Sequence, residues 1–178
     1  MGEDAVIRSE RLALPLLSLE QLDRLAAGDA VSVAGDLGAT LSEAWLREVR
    51  WLAALRAEQI RKRPGDAPWL VRPILLRHDD GSATAVGYLN FHAAPDEHGM
   101  IEVGYALLPE AQGQGYAIEA VHAAFEWATR LHGIHRFRAS VAPTNERSLN
   151  LIAKLGFRHV GEQWDEDDGL ELVFELEV

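Results

Sequence analysis

Two hydrophobic rhythms alternate along the chain and predict where strands and helices fall. Leu12, Leu14 and Leu16 repeat every second residue, predicting a strand over residues 11–16, an edge strand because Pro15 interrupts its donors. Ser18 and Gln21 then form a capping box, with Leu17 and Leu22 stapling the start of a helix that runs to Ala27 and stops at Gly28. Residues 29–39 hold no sustained period and read as a loop or a poorly paired strand. Thr40 and Glu43 make a second capping box. Beyond it Leu41, Trp45, Val49, Leu52 and Leu55 recur at helical spacing, predicting a long helix to Lys62. Trp45 shares the Val49 stripe and belongs to the core. Trp51 lies roughly 140° away around that helix and either lines a cleft or flanks the core.

After a turn at Pro64-Gly65-Asp66, strand patterns cover residues 69–77 and 84–92, joined by the hairpin signal Asp79-Asp80-Gly81. Residues 95–99 turn the chain into a strand over 100–108. On that strand Ile101, Val103, Tyr105 and Leu107 share one face, and Glu102, Gly104, Ala106 and Leu108 the other. From Ala117, the residues Ile118, Val121, Phe125 and Ala128 give a one-sided helix ended by Gly133. Phe137, Ala139 and Val141 mark a strand ended by Pro143. Asn145 caps a short helix with Leu149, Ile152 and Ala153 inward and Gly156 closing it. Two strands finish the chain, over residues 160–164 and 170–178. The order β-α-α-β-β-β-α-β-α-β-β is mixed α/β. With no repeat, low-complexity segment or linker, one domain over residues 1–178 is expected.

Composition narrows the classes. The 178 residues suffice for one full core, and no run of ~18 apolar residues predicts a membrane span. Met1-Gly2-Glu3-Asp4 opens acidic, unlike the basic start of a signal peptide, so a cytoplasmic location is expected. With zero cysteines, disulfides, thiolate ligands and cysteine nucleophiles are excluded. Net charge is −11, with 28 acidic against 17 basic residues, which argues against broad nucleic-acid or anionic-membrane binding. The same field favours a cationic partner, or serves solubility alone. The histidines show no metal-ligand spacing, so no metal is expected.

Chemistry concentrates where the strand over 100–108 gives way to Gln112-Gly113-Gln114-Gly115-Tyr116-Ala117 and then a helix. Glycines let the backbone turn its N–H groups toward a ligand, and the first helical turn adds unpaired donors and the positive end of the dipole. That combination is an anion site. It is neither a GxxxxGK[ST] loop nor a GxGxxG dinucleotide fingerprint.

The loop resembles the acyl-CoA loop [QR]-x-x-G-x-[GA] of the GNAT-type N-acetyltransferase superfamily, matched by Gln112, Gly115 and Ala117. Asn145-x-x-Ser148 followed by Lys154-x-Gly156-Phe157 is similar to a stretch of its Rim-type branch, which acetylates ribosomal-protein N-termini. The Arg11-Leu12-x-Leu14 opening and the Glu102-Val103-Gly104-Tyr105 strand fit that branch too. The resemblance implies a single α/β (α+β) domain, with a mixed, mostly antiparallel, twisted sheet flanked by helices. In it the fourth and fifth strands, here residues 100–108 and 136–141, splay to admit the CoA arm.

It further implies acetyl-CoA as co-substrate, with Ala106, Leu107, Gln112, Gly113, Gln114, Gly115, Tyr116, Ala117 and Asn145 binding it. A backbone N–H near Ala106 or Leu107 would polarise the thioester carbonyl. Ser148 would protonate the departing thiolate or hold the cofactor, or else is only a first-turn helix residue. Glu102 is the candidate base, with His92 its rival; both residue types also serve as ordinary strand side chains. The tyrosine that many members carry seven residues after the asparagine is Ile152 here, and the glutamate found five residues before it is Ser140. The acidic run from Asp165 to Asp168 reads as a solvated hairpin tip, or as an attraction for a cationic acceptor. The expected activity is acetyl transfer to a primary amine, either a protein N-terminus or a small molecule. A noncatalytic CoA-binding or protein-interaction domain is the alternative. The resemblance is compatible with a homodimer, and no nucleic acid or membrane is expected as partner.

Overall fold

The computed structural model describes residues 5–166 and 169–178; the acidic opening Met1–Asp4 and the tip residues Asp167 and Asp168 lie outside them. Eight strands form one sheet in the order β1-β2-β3-β4-β5-β6-β8-β7. They are β1 (Val6–Arg8), β2 (Leu12–Pro15), β3 (Arg72–Arg77), β4 (Ala83–Phe91), β5 (Met100–Leu107), β6 (Arg136–Val141), β7 (Arg158–Asp165) and β8 (Gly169–Glu177). Neighbours are antiparallel except β5 and β6, which run parallel. The helices are α1 (Leu19–Ala27), α2 (Ala30–Leu37), α3 (Glu43–Lys62), α4 (Tyr116–His132) and α5 (Glu146–Lys154). No helix among the described residues is long and apolar enough to cross a membrane.

Two apolar clusters sandwich the sheet. On one face Val121, Phe125 and Ala128 of α4 and Ile152 of α5 pack with Ile101 and Val103 of β5 and Phe137 of β6. On the other, Leu22 and Leu25 of α1, Val33 of α2 and Trp45, Val49 and Leu52 of α3 pack against Leu75 and Ala85. Helix α1 starts as its capping box dictates, with Ser18 accepting from the Gln21 N–H and Gly28 closing it in the left-handed conformation.

Several expectations need correction. Residues 29–39 are no loop: Asp29 accepts from the Ser32 N–H and opens α2, and Gly38 ends it. The second capping box is absent, because α3 is capped by Ser42, whose hydroxyl accepts from the Trp45 N–H. The strand at residue 12 is not an edge. β1 pairs along it, Val6 opposite Pro15, and takes the edge itself. Residues 64–69 wind into a 3-10 helix in place of a simple turn. Leu55 and Ala153, expected inward, are exposed. Trp51 is exposed as well, turned away from the Trp45 stripe.

Trp45 ties α3 to the sheet. Its ring is fully buried, and Nε1 donates to the Gly87 carbonyl at 2.8 Å. Replacing Trp45 with Phe keeps most of the apolar surface but removes this buried hydrogen bond. The substitution should cost about 1–3 kcal/mol, read as a lower urea midpoint at unchanged slope.

Candidate active site

The parallel pair β5–β6 is joined only at Met100–Arg136, Ile101–Phe137 and Glu102–Arg138. Beyond Glu102 the two strands part, as the splay implied by the resemblance requires. With the extra β1 counted, the splayed strands are the fifth and sixth.

The antiparallel register with β4 fixes which amides face the gap. His92 N–H donates to the Glu102 carbonyl and Leu108 N–H to the Val86 carbonyl, so the even-numbered residues of β5 bond to β4. Ala106 is therefore committed to the β4 ladder. The N–H groups of Tyr105 and Leu107 point into the gap, and of the two amides singled out beforehand only that of Leu107 is available.

A cleft of about 810 Å³ opens there on the α4–α5 face. It brings together Ala106, Leu107, Gln112, Gly113, Gly115, Tyr116, Ala117, Asn145 and Ser148. Gln114 lies outside it, with its carbonyl accepting from Arg11 Nη1 at 3.1 Å. Gly113 and Gly115 hold φ of 76° and 81°, a left-handed bend that glycine adopts without strain. Helix α4 begins at this bend with no side-chain cap, so its first N–H groups face the cleft unpaired. Gln112 Nε2 donates to the Leu107 carbonyl at 3.1 Å, and Arg147 Nη1 donates to Gln112 Oε1. Lys154 also borders the cleft. Asn145 caps α5 by accepting from the Ser148 N–H at 3.1 Å, and lines the cleft as well.

One feature was invisible in the pattern. Arg11, between β1 and β2, reaches Glu119 on α4 from 108 residues away and the loop carbonyl of Gln114 from 103. Its Nη2 pairs with Glu119 Oε2 at 2.6 Å, and its guanidinium lies 4.7 Å from the Tyr116 ring centre. Ser9 Oγ and the Arg11 N–H also donate to Glu119 Oε1, at 2.6 and 2.8 Å. Burial pushes the Glu119 carboxyl up, but these donors and the Arg11 charge outweigh it and hold it below its ordinary value of 4.5. The only sequence signal was the Arg11-Leu12-x-Leu14 motif.

Glu102 sits across the sheet from the cleft, at the last paired position before the strands part. Its Oε1 accepts from Ser140 Oγ at 2.6 Å, and Gln163 Nε2 donates to that same Ser140 Oγ at 3.1 Å. His92 Nδ1 lies 3.7 Å from Glu102 Oε1. A Cβ at Gly104 would come within 2.8 Å of His92 Nε2, so glycine there makes room for the ring. Desolvation lowers the His92 pKa from 6.5 against the opposing pull of Glu102, although 45% of the side chain stays exposed. The ring is thus neutral at pH 7. Asp165, at the end of β7, contributes a weaker attraction to His92; the rest of the acidic tip includes Asp167 and Asp168, outside the described residues. Among the described residues no group of three or more His, Asp or Glu is placed to hold a metal ion.

Residues 11–158 match the acetyltransferase (GNAT) domain family. The chain belongs to the GNAT acetyltransferase family. It is 34% identical over 100 residues to the [ribosomal protein uS5]-alanine N-acetyltransferase of Escherichia coli, covering 47% of this chain and 50% of that one. It is 32% identical over 104 residues to the uncharacterized N-acetyltransferase YnaD of Bacillus subtilis, covering 53% and 59%. These matches therefore span only about half of each relative. The GNAT fold is shared with the microcin C7 self-immunity acetyltransferase MccE, solved in complex with acetyl-CoA and AMP, at a TM-score of 0.64 and 13% identity over 96% of this chain and 94% of that one.

The Glu119 pairing gives a pH test. A carboxylate held below 4.5 in the fold stabilises it fully above 4.5, and that contribution is lost as pH falls through the folded value. Glu119→Gln should therefore melt lower than the wild type at pH 7, with the gap closing as pH falls from 4.5 through the lower folded value in paired thermal scans.

Proposed function

We propose that this N-acetyltransferase moves the acetyl group of acetyl-CoA to a primary amine, with the α-amine of a protein or peptide as its acceptor. The observation that carries this reading is the division of the site by the sheet. Unpaired α4 amides and the Leu107 N–H face one side of the gap, and the Glu102–Ser140–His92 cluster faces the other.

The residues fit the co-substrate. Its pyrophosphate suits the uncapped start of α4 and the Gly113–Gly115 bend, where backbone donors hold phosphate despite the net charge of −11. Arg147 and Lys154 add positive charge at the cleft wall. When bound, acetyl-CoA supplies a thioester carbonyl. The Leu107 N–H is free to donate to its oxygen as negative charge grows there. Glu102 takes the proton the amine sheds, directly or through one water, and Ser140 fixes the carboxylate's direction. His92, neutral and 3.7 Å from Glu102, stands beside that path. Holding the two reactants on either side of one gap supplies much of the acceleration.

Acceptor chemistry favours an α-amine. With a pKa near 7.7–8.0, roughly a tenth or more of such amines is already neutral at pH 7, against well under a hundredth of a lysine-like amine. A carboxylate is a weak base and suits the first class. Partial likeness to an enzyme named for the uS5 alanine points the same way.

The test is thiol release from acetyl-CoA with a panel of N-terminal peptides, polyamines and amino sugars. Alanine- or serine-started peptides should raise the rate at least about tenfold over hydrolysis; tight CoA binding without acceleration by any amine would overturn the reading. Glu102→Gln should lower kcat about 100-fold at pH 7 while CoA affinity holds, and an unchanged kcat would remove Glu102 from the base role. Ala117→Glu places a carboxylate in the phosphate cradle without backbone strain. It should weaken CoA binding at least about 100-fold by calorimetry, with the fold intact.

A further inference from the structure

Arg56 stands on the Glu102 side of the sheet with part of its guanidinium unused. It lies on the α3 face that carries Leu52, Ala53, Ala57 and Ile60, and is half-buried. Arg11, Arg24, Arg61, Arg63 and Arg138 each hold a carboxylate within 3.1 Å, whereas among the described residues no carboxylate pairs with Arg56. Asp66 acts on it only at a distance, its oxygens being taken by Gln59 Nε2, Arg63 Nε and the Ala94 N–H. Arg56 Nη1 donates to Gln59 Oε1 and to the His92 carbonyl, the latter at 3.2 Å. Nε is sealed from water. Nη2 keeps contact with solvent and has no hydrogen-bond partner among the described residues. Open, charged donors in a half-dry setting suit an oxygen that arrives with a ligand.

The sheet register brings those donors to the candidate base. Tyr88 lies opposite Ala106 and the His92 N–H bonds to the Glu102 carbonyl, so Tyr88, His92 and Glu102 project from one face. The Arg56 charge reaches that face, opposing protonation of His92 and favouring ionisation of Tyr88. Arg56 meets His92 at its carbonyl, and Glu102 lies 3.7 Å from its ring Nδ1, so guanidinium and carboxylate flank the same histidine.

From this arrangement we propose that Arg56 selects the acceptor, its Nη2 donating to the acyl oxygen next to the amine while Glu102 faces the amine itself. The inference rests on the acetyl-transfer reading above. An α-amino acyl group carries that oxygen on the carbon beyond Cα, as a peptide carbonyl or as the carboxylate of a free amino acid. A simple amine has no such oxygen, and a polyamine brings a further positive charge against Arg56. Burial lowers the Arg56 pKa and Asp66 opposes the fall; the guanidinium stays charged at neutral pH.

The probes are trialanine, free alanine and propargylamine, a primary amine of similar basicity with no oxygen. Arg56→Met should lower kcat/KM for trialanine about 30- to 100-fold, mostly through KM, and change that for propargylamine less than about threefold. Arg56→Lys keeps the charge but not the planar fork and should recover part of the loss. Both variants should keep the wild-type CoA affinity by calorimetry. Trialanine and free alanine both bring the acyl oxygen, so both should lose rate in Arg56→Met. The better of the two in the wild type tells a peptide carbonyl from a free carboxylate. Equal losses on trialanine and propargylamine, or a loss on trialanine under about threefold, overturn the assignment. Should the wild type acetylate no amine, the acetyl-transfer reading fails. Trialanine binding to the CoA complex, at least about tenfold tighter in wild type than in Arg56→Met, then still decides the contact.

Discussion

The parting of β5 from β6 after Glu102 is the constraint on which the site depends. A sheet interior rarely leaves backbone donors without partners, because each unpaired N–H away from water is costly. Here the Tyr105 and Leu107 amides turn toward a strand that has moved off. The Leu107 carbonyl is rescued by Gln112 Nε2, which folds back to it at 3.1 Å. Among the described residues no side chain folds back to the N–H groups in that way, so the gap keeps polar capacity for a ligand. Because side chains alternate along β5, the same parting also sends Tyr105 to the cleft and Glu102 to the opposite face.

The treatment of α4 follows the same logic. Helices α1, α2, α3 and α5 are each capped by a side chain, Ser18, Asp29, Ser42 and Asn145. Helix α4 begins at Gly115 with none. A capping oxygen would occupy the donors that an anion needs. Order in the loop comes from outside, through Arg11, which grips the Gln114 carbonyl, the Glu119 carboxylate and the Tyr116 ring without touching the first amides. Stability of the loop and availability of its donors are thereby separated.

The fold was legible wherever local chemistry decides structure. Ser18 with Gln21, the hairpin at Asp80-Gly81, the α4 stripe and the alternation of β5 all act over a few residues. Helix α2 was missed because glycines at 35 and 38 and the exposed Val31 blur its period, and because its cap, Asp29 to Ser32, lacks the capping-box glutamate. Strand β1, three residues long, is too short to show alternation. Within the site, the loop glycines and Asn145 stood out because their backbone roles restrict residue type. Arg11–Glu119 and Glu102–Ser140 did not, being set by tertiary packing across 108 and 38 residues.

The two departures from the family pattern look at first like losses, Ile152 for a tyrosine and Ser140 for a glutamate. The structure gives both a different sense. Ile152 is sealed in the core, so a phenol there would have to reopen packing to reach the cleft. Ser140 lies beside Glu102 across the parting strands and donates to it at 2.6 Å. A carboxylate is therefore present next to the position where the pattern lacks one, carried by β5 and oriented by the residue that replaced it. The serine at 140 thus sits beside a carboxylate one strand over, and the loss of one glutamate does not leave that part of the sheet without one.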